Sequence, residues 1–189
     1  MYADRLSVEG LEGDYPDLKR AIIPPDVIAD AEALPFASSL DFIIASHILE
    51  HLHFPLAALR GWYECLVPGG ILLLRVPDKR FTLDAPRQRT TLDHLIREHS
   101  DPKTHDLRSH YADWVEHIYK TPRSQSNFES SVDDLMGRKF SIHCHVWTQD
   151  DVRAILDYTI DNWNLSWRRI LSWNAHFYRK EVVVMLRKN

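Results

Sequence analysis

The sequence has few cysteines, no excess of basic residues and no long apolar run. Its two cysteines, Cys65 and Cys144, form no CxxC pair, which argues against a disulfide framework and indicates the reducing cytoplasm. A net charge of -4 leaves no basic surplus for binding nucleic acid. No apolar run approaches the roughly 20 residues of a membrane span, and the first residues lack a signal-peptide pattern.

The composition is that of a folded protein. A length of 189 residues suits a single domain. Apolar residues make up 44% and charged residues 26%, which are ordinary values for globular proteins and argue against disorder. The 11 histidines are an unusual feature of the composition. Most of them lie from residue 94 onward, and the others lie just before the first predicted helix.

Residues 40–77 have the pattern of a βαβ unit. The run Leu40–Ser46 is almost continuously apolar, which is typical of a strand buried on both faces. Apolar residues recur at helical spacing over Pro55–Val67, and Pro-Gly-Gly then ends the helix before a second strand at Ile71–Pro77. This unit predicts the α/β class with a parallel sheet, and Asp26–Asp30 is interpreted as a further short strand.

The segment 78–147 is rich in His, Arg, Asp and aromatic residues and has no strand pattern. We expect it to be a helical insertion, acting as a lid or binding loop within the single domain 1–189. Helices are predicted at Thr91–His99 and Ser109–Tyr119.

The last part of the chain predicts a helix followed by two strands. Thr148 and Asp151 have the spacing of a capping box at the start of the helix. The β-rich runs Asn164–Trp173 and Arg179–Arg187 are joined by a short link, so we expect a C-terminal antiparallel hairpin.

Three segments at matching order and spacing resemble the class I S-adenosylmethionine-dependent methyltransferases. Asp30–Phe36 resembles the loop after the family's third strand, and Ser39–Leu52 resembles the fourth strand and the start of its helix. Leu59–Leu72 resembles the next helix, its Pro-Gly-Gly turn and strand five. Pro77–Arg87 is similar to a subgroup of methyltransferase type 11-like proteins often found near glycosyltransferases. The resemblance implies a Rossmann-like sheet, S-adenosyl-L-methionine as the cofactor and O-methylation of a glycan or small-molecule hydroxyl.

The same resemblance implies a set of cofactor-binding residues. In the family, the position matching Asp30 and Ala31 contacts adenine, and the backbone at Ser46 and His47 lines the cofactor. Asp4 matches the acidic residue that holds the ribose. Because ligands bind at the carboxyl ends of parallel strands, we expect Asp30, His47 and Asp78 to lie along one rim of the sheet.

The sequence departs from the family at its start. The family's first strand ends in a Gly-rich loop, whereas Gly10 and Gly13 are not preceded by a strand pattern. We therefore expect an N-terminally truncated sheet that lacks the first strand and this loop. The chain is then either a fragment or mis-called start of a longer enzyme, or its third strand pairs directly with the fourth and cofactor binding is weak or absent. A further alternative is a non-catalytic subunit that completes its open sheet edge in a homodimer or with another chain.

A hydroxyl acceptor needs a general base, and histidine suits that role near neutral pH. His143 and His145 alternate in an extended segment, so we expect both side chains to point the same way. They are the favoured catalytic residues, with Asp78, His47 and His51 as alternatives. His47 and His51 are four residues apart and are expected to share a helix face. A histidine packed and hydrogen-bonded near the core accounts for each position equally well.

Charged residues after the second strand are candidates for substrate binding. Lys79, Arg80 and Arg87 are predicted to grip a sugar or phosphate, because Arg forms bidentate contacts. A solvated charged loop is the alternative interpretation. His47 to His51 also matches the HxxEH pattern of one group of zinc hydrolases, although little helix is available there.

Overall fold

The computed structural model describes residues 25–176 and 179–189, and these form one sheet and several helices. The strands are β1 (Leu40–Ser46), β2 (Leu66–Pro77), β3 (Trp167–Trp173) and β4 (Glu181–Lys188). The α-helices are α1 (Pro55–Cys65), α2 (Leu92–Ser100), α3 (Leu107–His117), α4 (Phe128–Gly137) and α5 (Gln149–Trp163). Short 3-10 helices cover Leu49–His51, Lys79–Phe81 and Pro102–Thr104.

The strand order in the sheet is β1-β2-β4-β3. β1 runs parallel to β2, while β4 is antiparallel to both β2 and β3. The predicted α/β class, the parallel βαβ unit and the C-terminal antiparallel hairpin are therefore confirmed. The capping box is also present, since the Thr148 side chain accepts from the Asp151 backbone and Asp151 accepts from the Thr148 backbone.

The strand predicted at Asp26–Asp30 is wrong. This segment is irregular and leads into a turn in which Ala33 N donates to Asp30 O. The side chain of Trp62 donates to Ala31 O, so helix α1 rather than a strand satisfies this loop. Within 25–176 and 179–189, no third strand pairs with the outer edge of β1, and direct pairing of strand three with strand four is not found there.

The main core lies on one face of the sheet. Leu72 and Leu74 of β2 pack with Leu59 of α1 and Ile155 of α5, all with side chains at most 2% exposed. The other face carries the exposed apolar side chains of Phe42, Ile44 and Trp173, which alternate with core-facing neighbours. The expectation that β1 is buried on both faces is thus not met by the described part of the chain.

The insertion between β2 and α5 is helical, as predicted, and has its own apolar cluster. Helices α2 and α3 lie within two residues of the predicted ranges. Helix α4 was not predicted, although Phe128, Val132 and Leu135 have helical spacing and are buried against α3. No helix in the ranges described is long and apolar enough to cross a lipid bilayer.

Gly70 is a position where a methyl group does not fit. A Cβ atom there would lie 2.9 Å from the carbonyl oxygen of Val67 and 3.2 Å from that of Leu40. Because both contacts are with backbone, we expect Gly70→Ala to lower the free energy of unfolding by about 1–3 kcal/mol in urea denaturation. Gly137→Ala is the matched control, since nothing lies within 4 Å of its added Cβ. Equal stability of the two variants would contradict this account.

Candidate active site

A polar edge forms where β1 and β2 end and β4 begins. His47 follows β1 in the left-handed conformation, with φ of 53°, and its backbone N donates to Arg75 O. The Glu181 carboxylate binds the His47 ring at 2.7 Å and the Arg75 guanidinium at 2.5 Å. Hydrogen bonds from Arg75 and His47 outweigh burial and hold the pKa of Glu181 below its usual range. The edge therefore carries an ionised carboxylate between two cationic or basic groups.

Glu50 lies beneath this edge and is almost fully buried, with 1% exposure. Neither carboxylate oxygen has a hydrogen-bond partner among the described residues. The Nδ1 atom of His47 lies 3.4 Å from Glu50 Oε1. Burial raises the pKa of Glu50. Glu50, His51 and His143 each have one atom that could ligate a metal ion, and these three atoms lie within 4.8 Å of one another. A buried acid and two imidazoles thus form one cluster at the carboxyl end of β1.

His143 is held by a buried carboxylate. Its Nδ1 lies 2.7 Å from Asp84 Oδ2, and Arg87 Nη1 donates to the other Asp84 oxygen at 2.9 Å. Arg87 Nε also donates to Asp113. Burial opposes ionisation of Asp84, but His143 and Arg87 outweigh it and lower the pKa of that carboxyl. Since an ionised carboxylate only accepts hydrogen bonds, the His143 Nδ1–H donates and Nε2 is left as the basic atom.

His51 packs edge-on against His143, with ring centroids 4.7 Å apart. Its Nδ1 donates to Ile142 O at 2.8 Å. Burial and the neighbouring His143 lower the pKa of His51 to about 4, so the ring is neutral near pH 7. His51 is therefore a neutral imidazole that lies beside His143.

His145 does not join this cluster. Its side chain is 0% exposed, its Nε2 contacts His53 O at 3.3 Å, and it lies beside His110 and Trp147. Burial lowers its pKa to about 3. The segment 141–147 is irregular rather than a strand, so the alternation that placed His143 and His145 on one side does not apply. The catalytic role predicted for His145 conflicts with its burial.

Asp78 is also fully buried and saturated with contacts. It accepts from the Arg80 guanidinium with both oxygens and from the backbone N of Gln149 at the start of α5. The hydrogen bonds from Arg80 and Gln149 overcome burial and lower the pKa of Asp78. These contacts fix the start of α5, and they leave no basic oxygen facing solvent. Asp78 therefore has a structural role in place of the predicted catalytic one.

The predicted substrate-binding cations are engaged within the chain. Arg87 is 1% exposed in its side chain and bridges two carboxylates, so it cannot reach a substrate as predicted. Arg80 is paired with Asp78, and Lys79 Nζ donates to Ala85 O at 2.8 Å. Arg80 and Lys79 keep partly exposed side chains, and their contact with substrate stays a prediction.

A cavity of about 450 Å³ opens between the predicted cofactor loop and the insertion. Asp30 and His51 line it from the sheet side, and Tyr111 and Phe140 line it from the insertion. Of the predicted cofactor residues described, only Asp30 lines this cavity. The carbonyl of Ala31 accepts a hydrogen bond from the Trp62 side chain. Ser46 is the last residue of β1, and His47 follows it. Asp4 falls outside the described residues.

The chain is similar to a known protein family. Residues 5–158 match the model of a family described as a methyltransferase domain. The chain belongs to this methyltransferase family. The resemblance predicted from the loop and strand motifs is confirmed at that level. The match to the glycosyltransferase-associated subgroup and the N-terminal truncation remain predictions.

Solved structures are similar to this methyltransferase domain at low sequence identity. A putative Zn-dependent alcohol dehydrogenase from Rhodobacter sphaeroides is 13% identical with a TM-score of 0.52, covering 85% of this chain and 65% of that one. A possible histamine N-methyltransferase from Thermotoga maritima, described as S-adenosylmethionine-dependent, is 15% identical with a TM-score of 0.42, covering 85% and 62%. The chain thus spans less than two thirds of either structure. Comparison with curated proteins gave no match.

The structure of the methyltransferase domain also bears on the HxxEH pattern. A short 3-10 helix covers Leu49–His51, and His47 has a left-handed backbone. No α-helix therefore places His47 and His51 on one face, contrary to the prediction. The residues grouped by distance are Glu50, His51 and His143, without His47. The zinc-hydrolase alternative loses the geometry that it requires.

Sequence reasoning missed two acidic residues at this site. Asp84 lies in the charged segment after the second strand that was predicted to bind a sugar or phosphate, and Glu50 lies in the HxxEH pattern, but neither was predicted to contact a catalytic histidine. Asp84 had a local signal, because Arg87 follows it by three residues and such a spacing suits an ion pair. Glu50 had none, since its burial depends on segments that are distant along the chain.

Proposed function

We propose that this domain transfers a methyl group from S-adenosylmethionine to a hydroxyl of a glycan or small molecule, with His143 as the general base. The observation that carries the proposal is the pair of His143 and buried Asp84, which lies in one cluster with His51 at the carboxyl end of β1. General bases of this type are oriented by a carboxylate that fixes the tautomer and stabilises the protonated ring.

The residues around the cavity fit the proposed cofactor. A volume of about 450 Å³ lies in the range of small-molecule sites. Asp30 is an acidic residue at its wall and suits the amine and hydroxyl donors of adenosine. When bound, S-adenosylmethionine supplies an electrophilic methyl group, and the protein supplies alignment and exclusion of water.

The protein's own part in the reaction is proton removal. His143 Nε2 accepts the acceptor's hydroxyl proton while its Nδ1–H stays bonded to Asp84. The Asp84 charge stabilises the imidazolium that forms. Arg87, buried behind Asp84, keeps that carboxyl ionised, so Asp84 can hold the His143 tautomer that leaves Nε2 basic.

The acceptor is proposed to be a carbohydrate or similar polyol. Tyr111 and Phe140 line the cavity and offer aromatic surface, on which sugar rings commonly pack. The sequence similarity of Pro77–Arg87 to proteins found near glycosyltransferases points to the same class. Arg87 itself takes no part in this binding, because it is buried between Asp84 and Asp113.

Calorimetry with S-adenosylmethionine and S-adenosylhomocysteine tests the cofactor site. We expect saturable binding, weakened by about 10-fold in Asp30→Ala, because a hydrogen bond to a charged group contributes about 1.5 kcal/mol or more. Asp41→Ala is the matched control, since Asp41 is an exposed carboxylate on β1 that does not line the cavity. Absence of binding to the wild-type chain, or equal weakening in both variants, would count against the proposed site.

One observation favours a second candidate, a subunit that completes its sheet with another chain. In the part of the chain that the structure describes, β1 pairs only with β2, and Phe42 and Ile44 beside its open edge are 65% and 58% exposed. Open edges and apolar faces favour association. Size-exclusion chromatography with light scattering separates the two candidates, and a monodisperse monomer would argue against the subunit.

A further inference from the structure

A second cluster of polar side chains lies inside the insertion, away from His143. His94 and Glu98 come from α2, His110 comes from α3, and His145 comes from the segment before α5. Each residue has one atom that could ligate a metal ion, and these four atoms lie within 4.8 Å of one another. Glu98, His110 and His145 are buried, with exposures of 3%, 8% and 0%. Three segments of the chain thus bring three imidazoles and one carboxylate to one point.

The Glu98 carboxylate is buried among imidazole rings. Its Oε1 lies 2.8 Å from His105 Nδ1 and 3.2 Å from His94 Nε2. His110 Nε2 lies 3.4 Å from the same oxygen, so one carboxylate oxygen faces three imidazoles inside the insertion. Buried charges in proteins are normally paired or bind a metal ion.

The tautomer of His110 leaves a lone pair directed into the cluster. His110 Nδ1 lies 2.7 Å from Cys144 O, and because a carbonyl only accepts, this nitrogen carries the proton. His110 Nε2 then has a lone pair facing Glu98 Oε1 at 3.4 Å. Two facing lone pairs repel unless a proton or a cation lies between them. A ring nitrogen that donates to a backbone carbonyl is the usual second contact of a metal-bound histidine.

Several atoms of the cluster lack hydrogen-bond partners. These buried atoms are His94 Nε2, Glu98 Oε2 and His145 Nδ1. In the case of His145, Nε2 is directed at His53 O, which leaves Nδ1 with the lone pair. Buried polar atoms without partners are rare, and an unplaced ion is one of their recognised explanations. Here three of them belong to the same four residues.

We propose that His94, Glu98, His110 and His145 form a structural zinc site that joins the helices of the insertion to the segment before α5. Three imidazoles and a carboxylate suit zinc or another borderline divalent ion, whereas calcium and magnesium prefer oxygen ligands throughout. Four protein ligands, three of them buried, are typical of a closed, structural site. The site stands independently of the proposed methyl transfer, since none of its four ligands lies in the Glu50, His51 and His143 cluster.

The zinc site would also stabilise the wall of the cavity. His110 and Cys144 are joined by a hydrogen bond, and Cys144 lines the cavity. His105 connects Glu98 to His53, a second cavity residue, through contacts of 2.8 and 3.2 Å. Loss of the ion should therefore loosen the insertion next to the proposed cofactor site.

Metal analysis of the full chain tests this proposal. We expect about one zinc per chain after expression with added zinc and dialysis. A chelator should lower Tm by roughly 5–10 °C relative to protein with zinc at 100 times its Kd, and zinc should restore it. Cobalt(II) added to the stripped protein should give the visible absorption of a four-coordinate site.

Variants of the ligands distinguish this site from adventitious binding. Glu98→Gln is nearly isosteric and His110→Ala removes one imidazole; each should weaken zinc binding by at least about 100-fold. His99→Gln is the matched control on the same helix, because His99 contacts Trp163 instead of the cluster, and it should retain zinc. The proposal is overturned if the wild type holds no zinc after metal loading, or if the ligand variants hold as much as His99→Gln. The chelation and cobalt measurements need no variant, so they decide the matter even if a ligand variant fails to fold.

Discussion

Replacing His143 by alanine should lower the rate of methyl transfer by about 10²- to 10⁴-fold while leaving cofactor affinity nearly unchanged. His143 is the imidazole that contacts a buried carboxylate and remains partly exposed, with 16% of its side chain accessible. Removing it deletes the proton acceptor but none of the residues assigned to the cofactor. The measurement is release of S-adenosylhomocysteine, followed by mass spectrometry over a panel of monosaccharides, glycosides and small alcohols.

Asp84→Asn and His99→Gln complete this experiment. Asp84 acts through His143, so Asp84→Asn should reduce kcat more than it changes KM and should shift the pH profile of the rate. His99→Gln removes an imidazole that packs on Trp163 and should keep the wild-type rate. If His143→Ala retains the full rate with the acceptor that the wild type methylates, His143 is not the base. If the wild type methylates nothing in the panel, the hydroxyl-transfer proposal itself fails.

Replacing Arg87 by methionine should lower the free energy of unfolding by about 3–5 kcal/mol, the usual cost of breaking a buried ion pair. The Arg87 and Asp84 side chains are both 1% exposed, and the guanidinium also contacts Asp113. Methionine fills much of the same space but leaves the Asp84 carboxylate without its main cationic partner. Urea denaturation followed by tryptophan fluorescence measures the loss.

Arg89→Met is the matched control for this substitution. Arg89 pairs with Asp151 at 2.7 Å, but its side chain is 61% exposed. Exposed ion pairs contribute about 0–1 kcal/mol, so this variant should be nearly as stable as the wild type. Similar stability losses in Arg87→Met and Arg89→Met would show that burial of the Asp84 pair has little effect on the fold.

Elements with a strong local pattern were predictable from the sequence. β1 was predicted with its observed bounds because its seven residues are almost all apolar and flanked by polar residues. The start of α5 was predictable because a capping box is a local interaction between residues three apart. The C-terminal hairpin followed from two β-rich runs joined by a short link.

Elements that depend on distant contacts were not predictable in the same way. The loop at Asp30 looked like a strand, yet Trp62 from α1 holds it as a turn. Arg87 looked like a surface cation, yet Asp84 and Asp113 enclose it. The partners Trp62 and Asp113 both lie more than 20 residues away along the chain, so no local pattern records them.

The sequence alone determined the βαβ unit, the hairpin and the methyltransferase family, because apolar periodicity and motif spacing are local properties. Only the tertiary structure decided which histidine belongs to which site. His143 turns toward Asp84 and His145 turns toward Glu98, because the segment that carries them is irregular and follows its side-chain contacts instead of strand alternation.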